Sequence, residues 1–234
     1  MRKRWTLLSA LLIALTGCTH KKLPDSRTVF RYNEASGVTS LDPAYAKGQA
    51  DIWACNQLYN GLVQMDDNLK VQPCIASSWT ISDDGLTYSF TLRKDVAFHR
   101  SPVFADSIGR NVTASDFLYS FGRIADAKVA SPGSWVFNAV APDPETPSGL
   151  SFYAPAPDSL VIVLKHPFPP FLGILTSLYC AVVPHEAIDY YGKDFRLHPV
   201  GTGPFIFHEW YDRMNLIYWK NPDYFEFDNG TRLP

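Results

Sequence analysis

Few residues in this chain have the type and spacing to do chemistry, and the first is a cysteine. Cys18 follows Leu15-Thr16-Gly17. Small residues before a cysteine let a peptidase reach the backbone, and the exposed thiol can then be acylated. The six histidines stand at 20, 99, 166, 185, 198 and 208, with no His-x-x-x-His pair to hold a metal. No Gly-x-Ser-x-Gly nucleophile elbow and no Cys-x-x-Cys pair occurs. The paired acids Asp66-Asp67 and Asp83-Asp84 lie in turn sequences, where their expected role is hairpin chemistry. Gly201-Thr202-Gly203-Pro204 lacks the Gly-Lys-Ser/Thr of a phosphate loop and reads as a structural turn. The expectation is a protein that is not an enzyme and carries neither metal nor cofactor.

The residues around Cys18 set the compartment. Arg2, Lys3 and Arg4 are followed by an apolar run from Trp5 to Leu15. That run is roughly a dozen residues, against about 20 needed to span a bilayer, so it reads as a cleavable signal. The whole leader resembles that of bacterial lipoproteins, with residues 1–17 as signal peptide, Cys18 as the lipidated residue and 18–27 as a tether. The expectation is an exported, membrane-anchored protein. Without Arg2, Lys3 and Arg4 the chain keeps 18 basic against 23 acidic residues, which disfavours a nucleic-acid partner. The remaining cysteines, Cys55, Cys74 and Cys180, allow one bridge and one free thiol, or three buried thiols.

The elements that must position any site alternate between helix and strand. Thr28–Tyr32 alternates as a strand does, and Ser36 to Pro43 reads as a turn and extended segment. Residues 50–58 suit a helix ended by Gly61, and 62–65 a short strand. Two alternating runs around Asp83-Asp84-Gly85 predict a hairpin. Thr113 and Asp116 have capping-box spacing, opening a helix with Phe117, Leu118, Phe121 and Ile124 as its buried stripe. Residues 141–149 are a Pro-rich loop, 159–165 a strand, 171–178 a helix, and 179–183 a strand. A helix over His185–Tyr191 ends at Gly192, and strands follow over 204–210 and 215–219. The fold class is mixed α/β. The 15 Phe, 12 Tyr and 6 Trp suffice for a core and for an apolar cleft.

Several segments together resemble the extracellular solute-binding proteins of ABC peptide importers, the oligopeptide- and dipeptide-binding family. They are Ser40-Leu41-Asp42-Pro43, Gln57-Leu58-Tyr59-Asn60-Gly61-Leu62-Val63, Ala76-Ser77-Ser78-Trp79 and the run Ser82 to Arg93. Val96-Ala97-Phe98-His99, Val112 to Phe117, Val200 to Phe205 and Asn221 to Phe225 follow in family order. The resemblance implies a periplasmic-binding-protein type II-like two-lobe fold. It assigns 28–65 and 180–234 to the α/β core of the first lobe and 66–179 to a β-rich subdomain. The family's second lobe has no counterpart here, so the expectation is a truncated or split chain that folds poorly in isolation.

For function the resemblance implies capture of short peptides outside the cytoplasmic membrane by a monomer. Delivery would be to ABC permease subunits, with the N-terminal lipid holding the protein at the membrane. Such a site must accept many sequences, which is achieved by adding the peptide backbone as a strand. The resemblance places that strand at Ser36, Gly37, Val38 and Thr39. From the residues alone, Gly37 fits close ligand approach and an ordinary turn equally. The resemblance also puts Trp135 near the cleft, although the residue by itself reads as a core tryptophan of the β-rich subdomain, Tyr179 at the cleft floor, and Gly201, Thr202, Gly203 and Pro204 near the lobe hinge. The alternatives are the same fold holding a nickel chelate, haem or another solute, and a remnant or interaction module that binds nothing.

Overall fold

The computed structural model describes residues 29–228 and 231–232. The signal segment, Cys18, the tether and Thr28 lie outside them. The chain divides into two units between Ala35 and Ser36. In the first, residues 29–35 have no regular structure, and the strand expected over Thr28–Tyr32 does not form across 29–32. Alternation makes a strand only where one face is buried, and here Phe30 is 87% exposed.

The second unit begins with irregular backbone, a 3₁₀ turn at Pro43–Tyr45 and helix α1, Gln49–Asn56. Strands β1 (Val63–Met65) and β2 (Val71–Pro73) pair antiparallel. The turn between them uses Asp66, whose Oδ1 accepts from the N–H groups of Asn68 and Lys70. Strands β3 (Ala76–Ile81) and β4 (Thr87–Leu92) form the expected hairpin. At its tip Gly85 has φ +71°, and Asp84 accepts from the Ser82 hydroxyl and the Leu86 N–H. Both acid pairs thus place a carboxylate in turn geometry. With β5 (Phe152–Ala156) and β6 (Ser159–Val163) this hairpin makes an antiparallel sheet of order β3-β4-β6-β5.

Helix α2, Ala114–Ala125, packs on that sheet. Asp116 accepts from the Thr113 N–H at 2.8 Å, and Phe117, Phe121 and Ile124 are buried. The Phe121 ring lies 5.4 Å from Phe152 and 4.8 Å from Phe137.

The region after β6 departs from expectation twice. Helix α3 is a single turn, Phe171–Ile174, rather than running to residue 178. The Thr176 hydroxyl and N–H both bind the Gly173 carbonyl, a local bond that competes with helix continuation. Residues 179–183 are not a strand. A 3₁₀ turn spans Leu178–Cys180, and the buried run that follows bonds singly, Val182 N–H to the Asn60 carbonyl and Val183 N–H to Ser120 Oγ. An apolar run is consistent with burial against helices as well as with a strand, and here α2 supplies the partner.

Helix α4, His185–Tyr191, ends at Gly192 with φ +53°. Strands β7 (Phe205–Tyr211) and β8 (Asn215–Lys220) form a separate hairpin, and the short β9 (Phe227–Asp228) and β10 (Thr231–Arg232) pair with each other. Buried residues from Leu41, Leu58 and Ile75 through Phe90, Phe121 and Leu160 to Leu175, Val182 and Phe195 form one continuous cluster. Cys55, Cys74 and Cys180 are free, buried thiols. Burial pushes all three upward in pKa, with Cys74 at about 12, so they are held as thiols.

Candidate ligand-binding site

Ser36 lies in an exposed bend, and Gly37 has φ +70° with open space where a side chain would stand. Val38 packs its side chain partly against the core, and Thr39 is exposed. From Thr39 to Asp42 each N–H is used. Thr39 and Ser40 donate to Asp51 Oδ1 at 2.7 and 3.3 Å. Leu41 donates to the Arg196 carbonyl, and Asp42 to Ser40 Oγ. Among the described residues, the backbone N–H and C=O groups of Gly37 and Val38 have no partner. Unpaired main-chain groups are what strand addition requires, and here they follow a left-handed turn at Gly37.

Tyr179 stands on the 3₁₀ turn, not on a strand. Its hydroxyl donates to the Ala46 carbonyl at 2.6 Å. Burial, and next the Asp51 carboxylate, push this phenol upward in pKa, so it acts as a neutral donor. The ring lies on Gly133, where an added Cβ would come within 2.1 Å of Tyr179 Cγ. Gly133 leads into the 3₁₀ turn Ser134–Phe137, which carries Trp135. Ser131 Oγ donates to the Ala44 carbonyl at 2.7 Å, docking the same loop on the Pro43–Tyr45 turn. The fold therefore brings the Tyr179 ring and the Trp135 loop together beside Pro43–Ala46. Trp135 itself is 50% exposed. It walls a groove of about 360 Å³ with Val136, Phe168 and Ile174.

A buried ion pair holds the Pro43–Tyr45 turn from the other side. Arg123 Nη1 of α2 donates to Asp42 Oδ1 at 2.8 Å, with the side chains 12% and 3% exposed. The guanidinium also sits 5.8 Å from the Tyr45 ring centroid.

Gly201–Pro204 lies apart from the 36–39 segment in sequence and packs on Leu58. An added Cβ would fall 2.0 Å from the Leu58 carbonyl oxygen at Gly201, and 2.4 Å from the Leu58 carbonyl carbon at Gly203. The Gly203 N–H donates to the Leu58 carbonyl, and Thr202 Oγ1 to Asn60 Oδ1. His99 closes the turn. Its N–H donates to the Gly201 carbonyl at 2.7 Å, and its Nε2 lies 2.9 Å from the Gly203 carbonyl. Burial lowers its pKa to about 4, against which the Gly203 bond works upward.

Sequence reasoning did not single out Asp51, Arg123 or His99 for these roles. Asp51 had a local signal, an acid in the first helical turn after Gly48. The other two act across long sequence separations; Arg123 had no signal, and His99 stood in a segment that carried the resemblance but pointed to no role. Among the described residues, no group of three or more His, Cys, Asp or Glu side chains is placed to hold a metal ion. No described helix is long and apolar enough to cross a membrane.

Residues 70–232 match the family model described as bacterial extracellular solute-binding proteins, family 5 Middle. This chain belongs to that family. A glutathione-binding protein of Salmonella typhimurium is 30% identical over 183 residues, covering 75% of this chain and 31% of the relative. A di/tripeptide-binding protein of Pseudomonas aeruginosa is 30% identical over 238 residues, covering 97% of this chain and 44% of the relative. The chain thus spans between about a third and a half of the curated relatives it matches.

Among solved structures, the binding protein DppA of Helicobacter pylori, in complex with the peptide STSA, is 29% identical with a TM-score of 0.70. That match covers 81% of this chain and 38% of the other. The murein tripeptide binding protein MppA of Escherichia coli is 27% identical with a TM-score of 0.71, covering 80% and 37%. The mixed α/β architecture is accordingly part of the periplasmic-binding-protein type II fold.

Proposed function

We propose that this chain is the peptide-contacting part of a solute-binding protein serving an ABC importer. It captures short peptides outside the cytoplasmic membrane and hands them to permease subunits, and no bond is broken. The observation that carries the reading is the pair of unpartnered backbone positions, Gly37 and Val38, on an exposed segment. Main-chain recognition is independent of side-chain sequence, which a carrier of varied peptides needs. Membership of family 5 supports it, as do relatives named for binding glutathione and di- or tripeptides. Trp135 and Tyr179 flank the site in this reading, and Gly201–Pro204 serves as a rigid turn near the hinge.

The test is ligand-dependent stabilisation across a panel of glutathione and peptides of two to nine residues. A ligand at a hundredfold its Kd stabilises the fold by about 2.7 kcal/mol, a clear shift in the melting curve. No shift with any member of the panel sinks the proposal.

The leader supports a further step. A thiol directly after Leu15-Thr16-Gly17 fits lipid anchoring at Cys18, which keeps a monomeric binding protein near its permease. Cells expressing the chain should incorporate labelled palmitate into it, and Cys18→Ser should abolish the label. Equal labelling of both proteins would remove the anchor.

A further inference from the structure

We propose that Asp51 is the positioning residue of the ligand-binding segment, acting on bound peptide through the backbone of residues 37–39. The inference rests on the peptide-binding reading above.

The argument starts from what an edge strand needs. Strand addition works when a few consecutive N–H and C=O groups are held extended and left unpaired. A free loop would lose backbone entropy on binding, roughly 1–2 kcal/mol per residue fixed. Segment 36–39 belongs to no sheet, so no ladder holds it. Something else must, without consuming the groups that the ligand requires.

Asp51 meets that need. Asp51 is 4% exposed, and its carboxylate collects three donors from two consecutive residues. Oδ1 takes the N–H groups of Thr39 and Ser40, and Oδ2 takes the Thr39 hydroxyl at 3.0 Å. An aspartate is suited to this because both oxygens only accept. The first turn of α1 favours its charge there, at the positive end of the helix dipole. On the far side the clamp is matched by Gly37, whose φ of +70° redirects the chain, and by Val38, whose side chain packs against the core. Gly37 at the bend and Val38 between bend and clamp are the residues with unpartnered backbone groups. Asp51 touches no ligand in this arrangement. It sets the direction in which Gly37 and Val38 present their backbone.

The test uses the full chain and a peptide that binds it. Asp51→Ala should raise the peptide Kd about tenfold or more, and Asp51→Asn, which keeps one acceptor oxygen for the two N–H groups, should recover most of that loss. Amide exchange at Thr39 and Ser40 should speed up in Asp51→Ala, while Leu41, bonded instead to the Arg196 carbonyl, stays protected. Faster exchange at Leu41 as well, with no recovery in Asp51→Asn, would assign Asp51 a merely structural role and overturn the proposal. If Asp51→Ala does not fold, Thr39→Val decides: it removes only the hydroxyl donor, and should weaken binding measurably with an unchanged unfolding midpoint. Unweakened binding in the variants overturns the positioning role alone. Absence of binding by the unsubstituted chain removes the peptide reading and this proposal together.

Discussion

His99 is kept neutral by its surroundings. It is 5% exposed, bonds the Gly201–Gly203 turn through both its N–H and its ring, and has no partner for Nδ1 among the described residues. Protonation would place a charge where no acceptor waits, which is why burial draws its pKa from the ordinary 6.5 to about 4. The unfolded chain therefore binds the proton more readily than the folded one between those values. Stability from this residue is fully present above about pH 6.5 and is lost as pH falls toward 4, by about 3 kcal/mol in all. His99→Asn retains a donor for the Gly203 carbonyl but does not titrate. Urea unfolding at pH 7 and pH 4 should show a smaller acid loss in His99→Asn than in the unsubstituted chain. Equal losses would show that His99 plays no part in the acid response.

At the level of the element, the start of α2 shows how a local motif acquires a tertiary task. Thr113 and Asp116 stand at capping-box spacing, and Asp116 does cap the Thr113 N–H. The same carboxylate also binds both Nη atoms of Arg110, at 2.7 and 2.8 Å. Arg110 in turn pairs with Glu186 on α4, its Nε at 2.6 Å from Oε1. One carboxylate thus ties a helix start to a loop and to a second helix. Asp116→Ala removes the cap and leaves Arg110 with one fewer partner. The cost should be about 2 kcal/mol, below the usual range for a broken buried pair because Arg110 is a third exposed. Thr113→Ala should cost about 1 kcal/mol. Chemical denaturation of the two variants checks the order, and an equal or smaller loss at Asp116 would contradict the shared role.

Over the whole molecule, stability should be uneven. The sheet β3-β4-β6-β5 is covered by α2 and feeds the continuous core through Phe90, Leu160 and Ile162, all within 1% exposure. The β7–β8 hairpin has only two strands. Phe207, Trp210, Leu216 and Tyr218 pack inward, while on the other face Trp219 is 54% exposed and stacks on His208 at 3.8 Å. A two-stranded ribbon with one face open holds its backbone bonds less firmly than a covered sheet. Native-state hydrogen exchange should protect the amides of β4 and β6 longest and release those of β7 and β8 earlier. Equal protection across both would mean that the hairpin unfolds only with the core.

The sequence by itself determined the elements whose cause is local. The capping box, the Asp-Gly hairpin and the His185–Tyr191 helix with its glycine stop were all legible, because their interactions lie within a few residues. It also carried the family, through many short segments in order. What it left open was decided by partners distant in the chain. The run 179–183 reads as a strand, yet Cys180 and Ala181 bond within a 3₁₀ turn while Val182 and Val183 bond to Asn60 and to Ser120 of α2. A helix through 178 was cut to one turn by Thr176. Thr28–Tyr32 alternates, but residues 29–32 bury no face. At the candidate site, Gly37 was visible as a residue type, but its role depended on which neighbouring groups were already bonded. Only the fold reveals that Asp51 takes the N–H groups of Thr39 and Ser40 and leaves Gly37 and Val38 open, because hydrogen-bond accounting belongs to three-dimensional neighbours.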